Sequence, residues 1–202
     1  PNVKLYLMIG LPTEQDCDIE ASCDLAVRIA DQMATYGRSG TLTLSVNPFV
    51  PKPFTPFQWL PMADQTVVAR RLRFLEKSLK GHKKIRVQSE SLREAYLQGT
   101  LARGDRQLGQ ALVQAHLLGG RKSWKQALKL CEIDETTYLY RERLRDEVFP
   151  WDRIDVGVSR EYLWLELQRA MQETATPVCF DGCKRCGVCG KEGGSNAANG
   201  NN

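Results

Sequence analysis

Four cysteines stand within the short stretch CFDGCKRCGVC, Cys179 to Cys189, at spacings x3, x2 and x2. Thiolates this close together bind soft metal: four can wrap tetrahedrally around one zinc ion or hold an iron–sulfur cluster. Gly182, Gly187 and Gly190 permit the tight turns this needs. The spacing does not select the metal. The compact knuckle mildly suits a cluster, because structural zinc sites usually draw two C-x2-C pairs from separated segments. The other three of the seven cysteines, Cys17, Cys23 and Cys131, are scattered through helical patterns. An odd count with one dense cluster reads as metal-site usage in a reducing, cytoplasmic compartment, not as a disulfide framework.

A second constellation is MIGLPTE, Met8 to Glu14. A strand ends, the chain turns at Gly10 and Pro12, and a helix begins. Ligands of α/β folds bind at such C-terminal strand ends, where backbone N–H groups and the helix dipole are free; an ordinary βα turn reads the same way. Further on, eight cations from Arg70 to Arg86 face one acid, Glu76. Arg70, Arg73, Lys77 and Lys80 share a helical face that suits a phosphate backbone, or simply water. ARGDR, Ala102 to Arg106, reads as an electrostatic knot or as a helix start capped by Asp105. Trp151, Asp152, Arg153 and Asp155 share a loop that could face a substrate. His82 suits a helix C-terminus, His116 is assigned no role, and no nucleophile–base pair is evident.

These groups need elements to position them. Val3–Ile9 and Thr41–Val46 read as strands, and a helix starting at Thr13 connects them, with Ile19, Cys23, Ala26, Val27 and Ala30 on one face. That is a β-α-β unit, so the strands are expected to be parallel. The stretch NPFVPKPFTPFQWLP is too rich in proline for a regular helix or central strand and reads as an extended loop. A helix over Asp64–Leu79 follows, with Val68, Leu72, Leu75 and Leu79 as its stripe, then a strand over Lys84–Ser89. Helices are expected near 91–103, 105–118, 123–131 and 159–173, with an ordered loop over 145–158. The residues 191–202 lack apolar content and are expected to be disordered.

The 202 residues suffice for one sizeable core or two modest ones. The net charge of +4 permits a nucleic-acid partner without requiring one. No apolar run approaches a membrane span, so no membrane partner is expected. The chain opens on Pro1-Asn2 and runs straight into a strand, which reads as the C-terminal piece of a longer protein.

LYLMIGLPTEQDCDIEASCDLAVRIA and LTLSVNPFVPKPFTPFQW together resemble the last two strand–helix units of the radical S-adenosylmethionine (SAM) superfamily, which includes the tRNA methylthiotransferases. There a G-x-P-x-E-type turn ends the fifth strand and a P-x-P-x-T-P-type loop follows the sixth. LARGDRQLGQAL and RDEVFPWDRIDVGVSREYL resemble an uncharacterised subgroup that often carries an upstream cobalamin-binding-like region. The resemblance covers Val3 to Cys189. It implies an α/β fold: the C-terminal strand–helix units of a partial (β/α)6 barrel over 1–89, then a mainly helical extension over 90–175. The four-cysteine segment would occupy 176–190 and the tail 191–202.

The resemblance also implies a chemistry. Ile9, Gly10 and Leu11 would line one side of the SAM adenine, Val46 and Asn47 the other, and Glu14 would orient the turn. The superfamily motif often leaves two residues between its last Gly and its Glu; this chain has three. The main 4Fe–4S cluster would be held by residues upstream of this chain, so this piece alone is expected to be inactive. An electron donor and a substrate, RNA among the candidates, would be partners, and cobalamin a further cofactor. Cys179, Cys183 and Cys186 match the superfamily's cluster spacing, C-x3-C-x2-C. That cluster needs an open iron, follows the first strand and uses three cysteines. Here Cys189 closes the set and the last helix precedes it, so the segment reads as a separate site for an auxiliary cluster or zinc. Two rival readings are an RNA-binding module with a basic helix and zinc knuckle, and a zinc-stabilised structural or protein-interaction domain.

Overall fold

Val3, Leu5, Leu7 and Ile9 turn inward along the first strand while Lys4, Tyr6 and Met8 face outward, as the two-residue period of a strand requires. The computed structural model describes residues 2–37 and 40–189. It contains a three-stranded parallel sheet in the order β1 (Val3–Ile9), β2 (Leu42–Pro48), β3 (Ile85–Ser89). The helices α1 (Asp16–Thr35) and α2 (Gln65–Leu79) make the two crossovers. Both β-α-β units advance the same way across the sheet, so right-handed crossovers put both helices on one face. Ile19, Cys23, Ala26 and Ala30 of α1 and Val68, Leu72, Leu75 and Leu79 of α2 bury Leu42, Leu44, Val46 and Ile85 in one core. This is an α/β fold.

The opposite face of the sheet is polar and open. The register aligns Lys4 with Thr43 and Arg86, Tyr6 with Ser45 and Gln88, and Met8 with Asn47. The residues of β1 and β3 on this face are exposed, with Tyr6 at 73%. Those of β2 are half-buried.

Four helices follow the sheet: α3 (Leu92–Arg103), α4 (Leu108–Leu117), α5 (Trp124–Leu130) and α6 (Thr136–Leu139). The last, α7 (Arg160–Met171), comes after the loop over 145–158. The short α6 was absent from the sequence reading, because four residues are too few to show a period. Its start is marked by Asp134, whose carboxylate accepts the Thr136 N–H at 2.9 Å. The first helix starts at Asp16, later than Thr13 suggested. Thr13 is left-handed, φ 66°, and Glu14 is engaged in the turn, so the Gln15 N–H finds Asp18 at 2.7 Å instead. Arg103 is 1% exposed and donates to the carbonyls of Tyr138, Leu60 and Arg141. Asp105 accepts the Gln107 N–H at 2.8 Å, one turn ahead of α4.

The chain divides into two units, Pro1–Pro51 with Leu60–Arg143, and Lys52–Trp59 with Leu144–Asn202. This groups α3 to α6 with the sheet, where the resemblance implied segments 1–89, 90–175 and 176–190. In the second unit the proline loop closes as a 3-10 turn, Pro56–Trp59. Gln58 there accepts the Trp151 indole N–H at 2.9 Å, and Trp59 packs against Phe149 and Trp164 at 5.8 and 5.1 Å. The expected tail, 191–202, and Gly190 lie outside the described residues. Among the described residues no helix is long and apolar enough to cross a membrane.

Candidate functional site

Parallel pairing brings the C-terminal ends of β1 and β2 side by side, Met8 beside Asn47 and Ile9 beside Pro48. The Phe49 N–H donates to the Ile9 carbonyl at 2.8 Å, so the two exits leave together. The turn after β1 needs Gly10 twice over. Its φ is +82°, and a Cβ there would stand 3.0 Å from Val68 Cγ2 and 3.2 Å from Ala63 Cβ.

Glu14 holds this turn shut. Its Oε2 accepts the Gly10 N–H at 2.8 Å and the Arg71 Nη1 donor at 2.9 Å. Arg71 Nη2 donates to the Glu14 carbonyl at 2.8 Å, and its Nε to Asp16 at 2.9 Å. The Glu14 side chain is only 6% exposed and that of Arg71 12%, so water competes weakly for this pair. The hydrogen bond from Arg71, aided by the charge of Arg70, holds the Asp16 carboxyl below its usual range against its partial desolvation. The sequence reading saw in Arg71 only one cation of a basic stretch. The signal available was its position: it follows the stripe residue Val68 by three and precedes Leu72 by one, so it flanks the buried face.

The expected adenine-side residues divide by the pleat. Ile9 and Val46 are each 1% exposed and point into the helix-side core. Leu11 and Asn47 are half-buried, and Asn47 lies on the open face. Tyr6, Met8, Ser45 and Gln88 share that face and were not singled out in the sequence, although the alternation of each strand carries them there. The Arg70 guanidinium pairs with Asp16 at 2.9 Å, and Arg73 turns back onto the Ala69 carbonyl, so two cations of the basic face are engaged within the protein.

In the second unit the cysteine loop docks on the start of α7. Ser159 caps that helix, its Oγ accepting the Tyr162 N–H at 3.2 Å, while its own N–H donates to the Cys186 carbonyl at 2.7 Å. A Cβ on Gly187, φ +91°, would lie 3.1 Å from the Gly157 carbonyl. Gly157 and Ser159, where this loop meets α7, therefore carry the Cys186–Gly187 segment. Asp152, expected to face a substrate, instead accepts from the Phe149 N–H and from Arg160. Trp151 is buried.

Cys183 is the buried thiol of the four; Cys186 is half-buried, and Cys179 and Cys189 are exposed. Arg185 Nε donates to Cys183 Sγ at 3.1 Å and its Nη2 to the Pro177 and Val178 carbonyls. The Arg185 bond lowers the Cys183 thiol to about 7, and the hydrogen bond with Cys183 pushes Cys179 up. Among the described residues no group of three or more His, Cys, Asp or Glu side chains is closed around a metal position.

No family model matches the chain, and no solved structure matches it. Over 110 residues, 54% of this chain, it is 36% identical to the uncharacterized protein MJ0966 of Methanocaldococcus jannaschii. The match spans 23% of the length of that relative.

Proposed function

We propose that this chain is the C-terminal portion of a radical SAM enzyme. Its sheet would form one wall of a partial barrel, and its cysteine loop a separate metal site. The observation that carries the reading is the one-directional winding of the sheet. Both crossover helices lie on one face and leave a polar row on the other, Tyr6–Ser45–Gln88 and Met8–Asn47. A doubly wound sheet reverses direction and covers both faces; a barrel wall continues in one direction and keeps its open face for the lumen.

The paired ends of β1 and β2 suit an adenine at Leu11, the Gly10 backbone and the Asn47 side chain. The side chains of Ile9 and Val46 would support these from the core, and Glu14 would hold the turn. When bound, SAM and a 4Fe–4S cluster would supply reductive cleavage of SAM and hydrogen abstraction from a substrate. The role of this chain would be to position and shield. The donor set of Cys179, Cys183, Cys186 and Cys189 fits zinc or an auxiliary cluster: four thiols on one loop turned at Gly182 and Gly187. SAM, an electron donor and a substrate would be the partners, in a cytoplasmic setting.

The test is anaerobic reconstitution with iron, sulfide, dithionite and SAM, followed by chromatography for 5′-deoxyadenosine. Product is expected from the chain joined to its upstream strands and none from this chain alone. A longer protein that makes none, or turnover by this chain alone, sinks the reading. Metal analysis of the same anaerobic samples separates iron from zinc at the cysteines, and Cys183→Ser is expected to lose that metal.

A further inference from the structure

One cation of the cysteine loop is turned onto sulfur. Arg185, between Cys183 and Cys186 in the chain, is half-buried, whereas Lys184 beside it is exposed. Its Nε donates to Cys183 Sγ at 3.1 Å, and its Nη2 donates to the Pro177 and Val178 carbonyls at 3.0 and 2.8 Å. The same guanidinium stands 5.7 Å from the centre of the Phe180 ring. One side chain therefore ties the chain entering Cys179 to the thiol of Cys183. The planar fork of an arginine makes these bonds together; a lysine ammonium presents its donors from a single point and does not reproduce them. The backbone supports the same arrangement. The Cys183 N–H donates to the Phe180 carbonyl at 3.0 Å across a turn made at Gly182, φ +77°, and the Cys186 carbonyl accepts the Ser159 N–H at 2.7 Å.

This choice of partners has a chemical reason. A neutral thiol is a weak acceptor. Among the described residues Arg185 makes no ion pair with a carboxylate; its bonds go to one sulfur and two carbonyls. A guanidinium spent on sulfur in this way suits a sulfur that carries negative charge. Four thiolates around one divalent ion leave a net negative charge, and a cluster held by four thiolates is anionic as well. Arginine offsets that charge without competing for the metal, because it keeps its proton and offers no lone pair. Groups that hydrogen-bond a metal's ligands from behind orient those ligands and tune the metal.

We propose that Arg185 is the positioning residue of the cysteine site: it holds the Cys183 sulfur and the approach to Cys179 ready for a soft metal, and keeps its N–H on that sulfur once the metal is bound. This role rests on the metal-site reading above. The probe is cobalt(II), titrated anaerobically into the reduced full chain, with zinc affinity then measured by displacement of the cobalt. The wild type is expected to give the visible spectrum of tetrahedral cobalt on thiolates. Arg185→Gln is expected to weaken zinc binding about tenfold to hundredfold, Arg185→Lys less, and Lys184→Gln not at all. In cobalt-saturated samples the thiolate-to-cobalt charge-transfer band of Arg185→Gln is expected at lower energy than in the wild type, because a sulfur relieved of its N–H donor gives electron density to the metal more readily. A residue that only kept the loop folded would change occupancy and leave that band in place. A wild type that shows no thiolate spectrum refutes the metal site and this role with it. A wild-type spectrum with Arg185→Gln unchanged in affinity and band position, or an equal loss in Lys184→Gln, overturns the role of Arg185 while the metal site stands.

Discussion

Arg71→Ala is the sharpest single test of the strand-end turn. The substitution removes the donors at 2.9 Å to Glu14 Oε2, 2.8 Å to the Glu14 carbonyl and 2.9 Å to Asp16. It leaves the Glu14 carboxylate, 6% exposed, with the Gly10 N–H as its remaining described partner. Breaking one side of a buried ion pair costs about 3–5 kcal/mol, and the residual access of water to this pair argues for about 3. For a chain of this length that lowers the melting temperature by roughly 6–12 °C. Glu14→Gln keeps an oxygen for both donors and loses only the charge, so about 1–1.5 kcal/mol is expected. Urea unfolding of both single variants and the double variant measures the coupling, expected near 1.5 kcal/mol. Faster amide exchange at Gly10 in Arg71→Ala would locate the loss in the turn. A cost below about 1 kcal/mol for Arg71→Ala, or additivity within about 0.5 kcal/mol, would refute the assignment of Arg71 as the clamp.

Other consequences follow from the same contacts. Because the Asp16 carboxyl is held below its ordinary 3.8, chiefly by the Arg71 hydrogen bond, its contribution is present above that value and lost as pH falls through the lowered one. The stability difference between the wild type and Asp16→Asn should therefore exist at neutral pH and vanish in strong acid, as acid-titrated urea curves would show. Gly104→Ala would place a Cβ 2.0 Å from Leu108 Cδ1 and 2.8 Å from the Thr100 carbonyl, so a loss of about 1–3 kcal/mol is expected in thermal unfolding. Gly187→Ala must adopt φ +91° and crowd the Gly157 carbonyl. It should lower metal retention by anaerobically loaded protein under chelator challenge, while Gly119→Ala, whose Cβ would meet nothing within 4 Å, should not.

How much of this was legible in sequence differs by element. The strands and the stripes of α1 and α2 were readable because each repeats a period over several residues and faces one core. The start of α1 was misplaced because Thr13 with Asp16 three residues later looks like a capping box locally, whereas Glu14 and Asp16 are claimed by Arg71, distant in sequence and adjacent in space. Trp151 and Asp152 looked like substrate groups for the same reason. Their partners, Gln58 and Arg160, lie on other elements.

The residue types alone determined that this chain alternates strand and helix, that a proline-rich stretch interrupts it, and that four thiols share one loop. Those are local properties, set by side-chain period, by backbone restriction and by spacing. Tertiary structure decided which side chains of each strand face the helices and which the open side, since the pleat gives two faces and only packing chooses between them. It likewise decided that Arg71 is a clamp and not a surface charge, and that the Trp124 N–H is buried with no acceptor among the described residues. Burial and partnership are properties of the folded neighbourhood, and no window of neighbouring residues carries them.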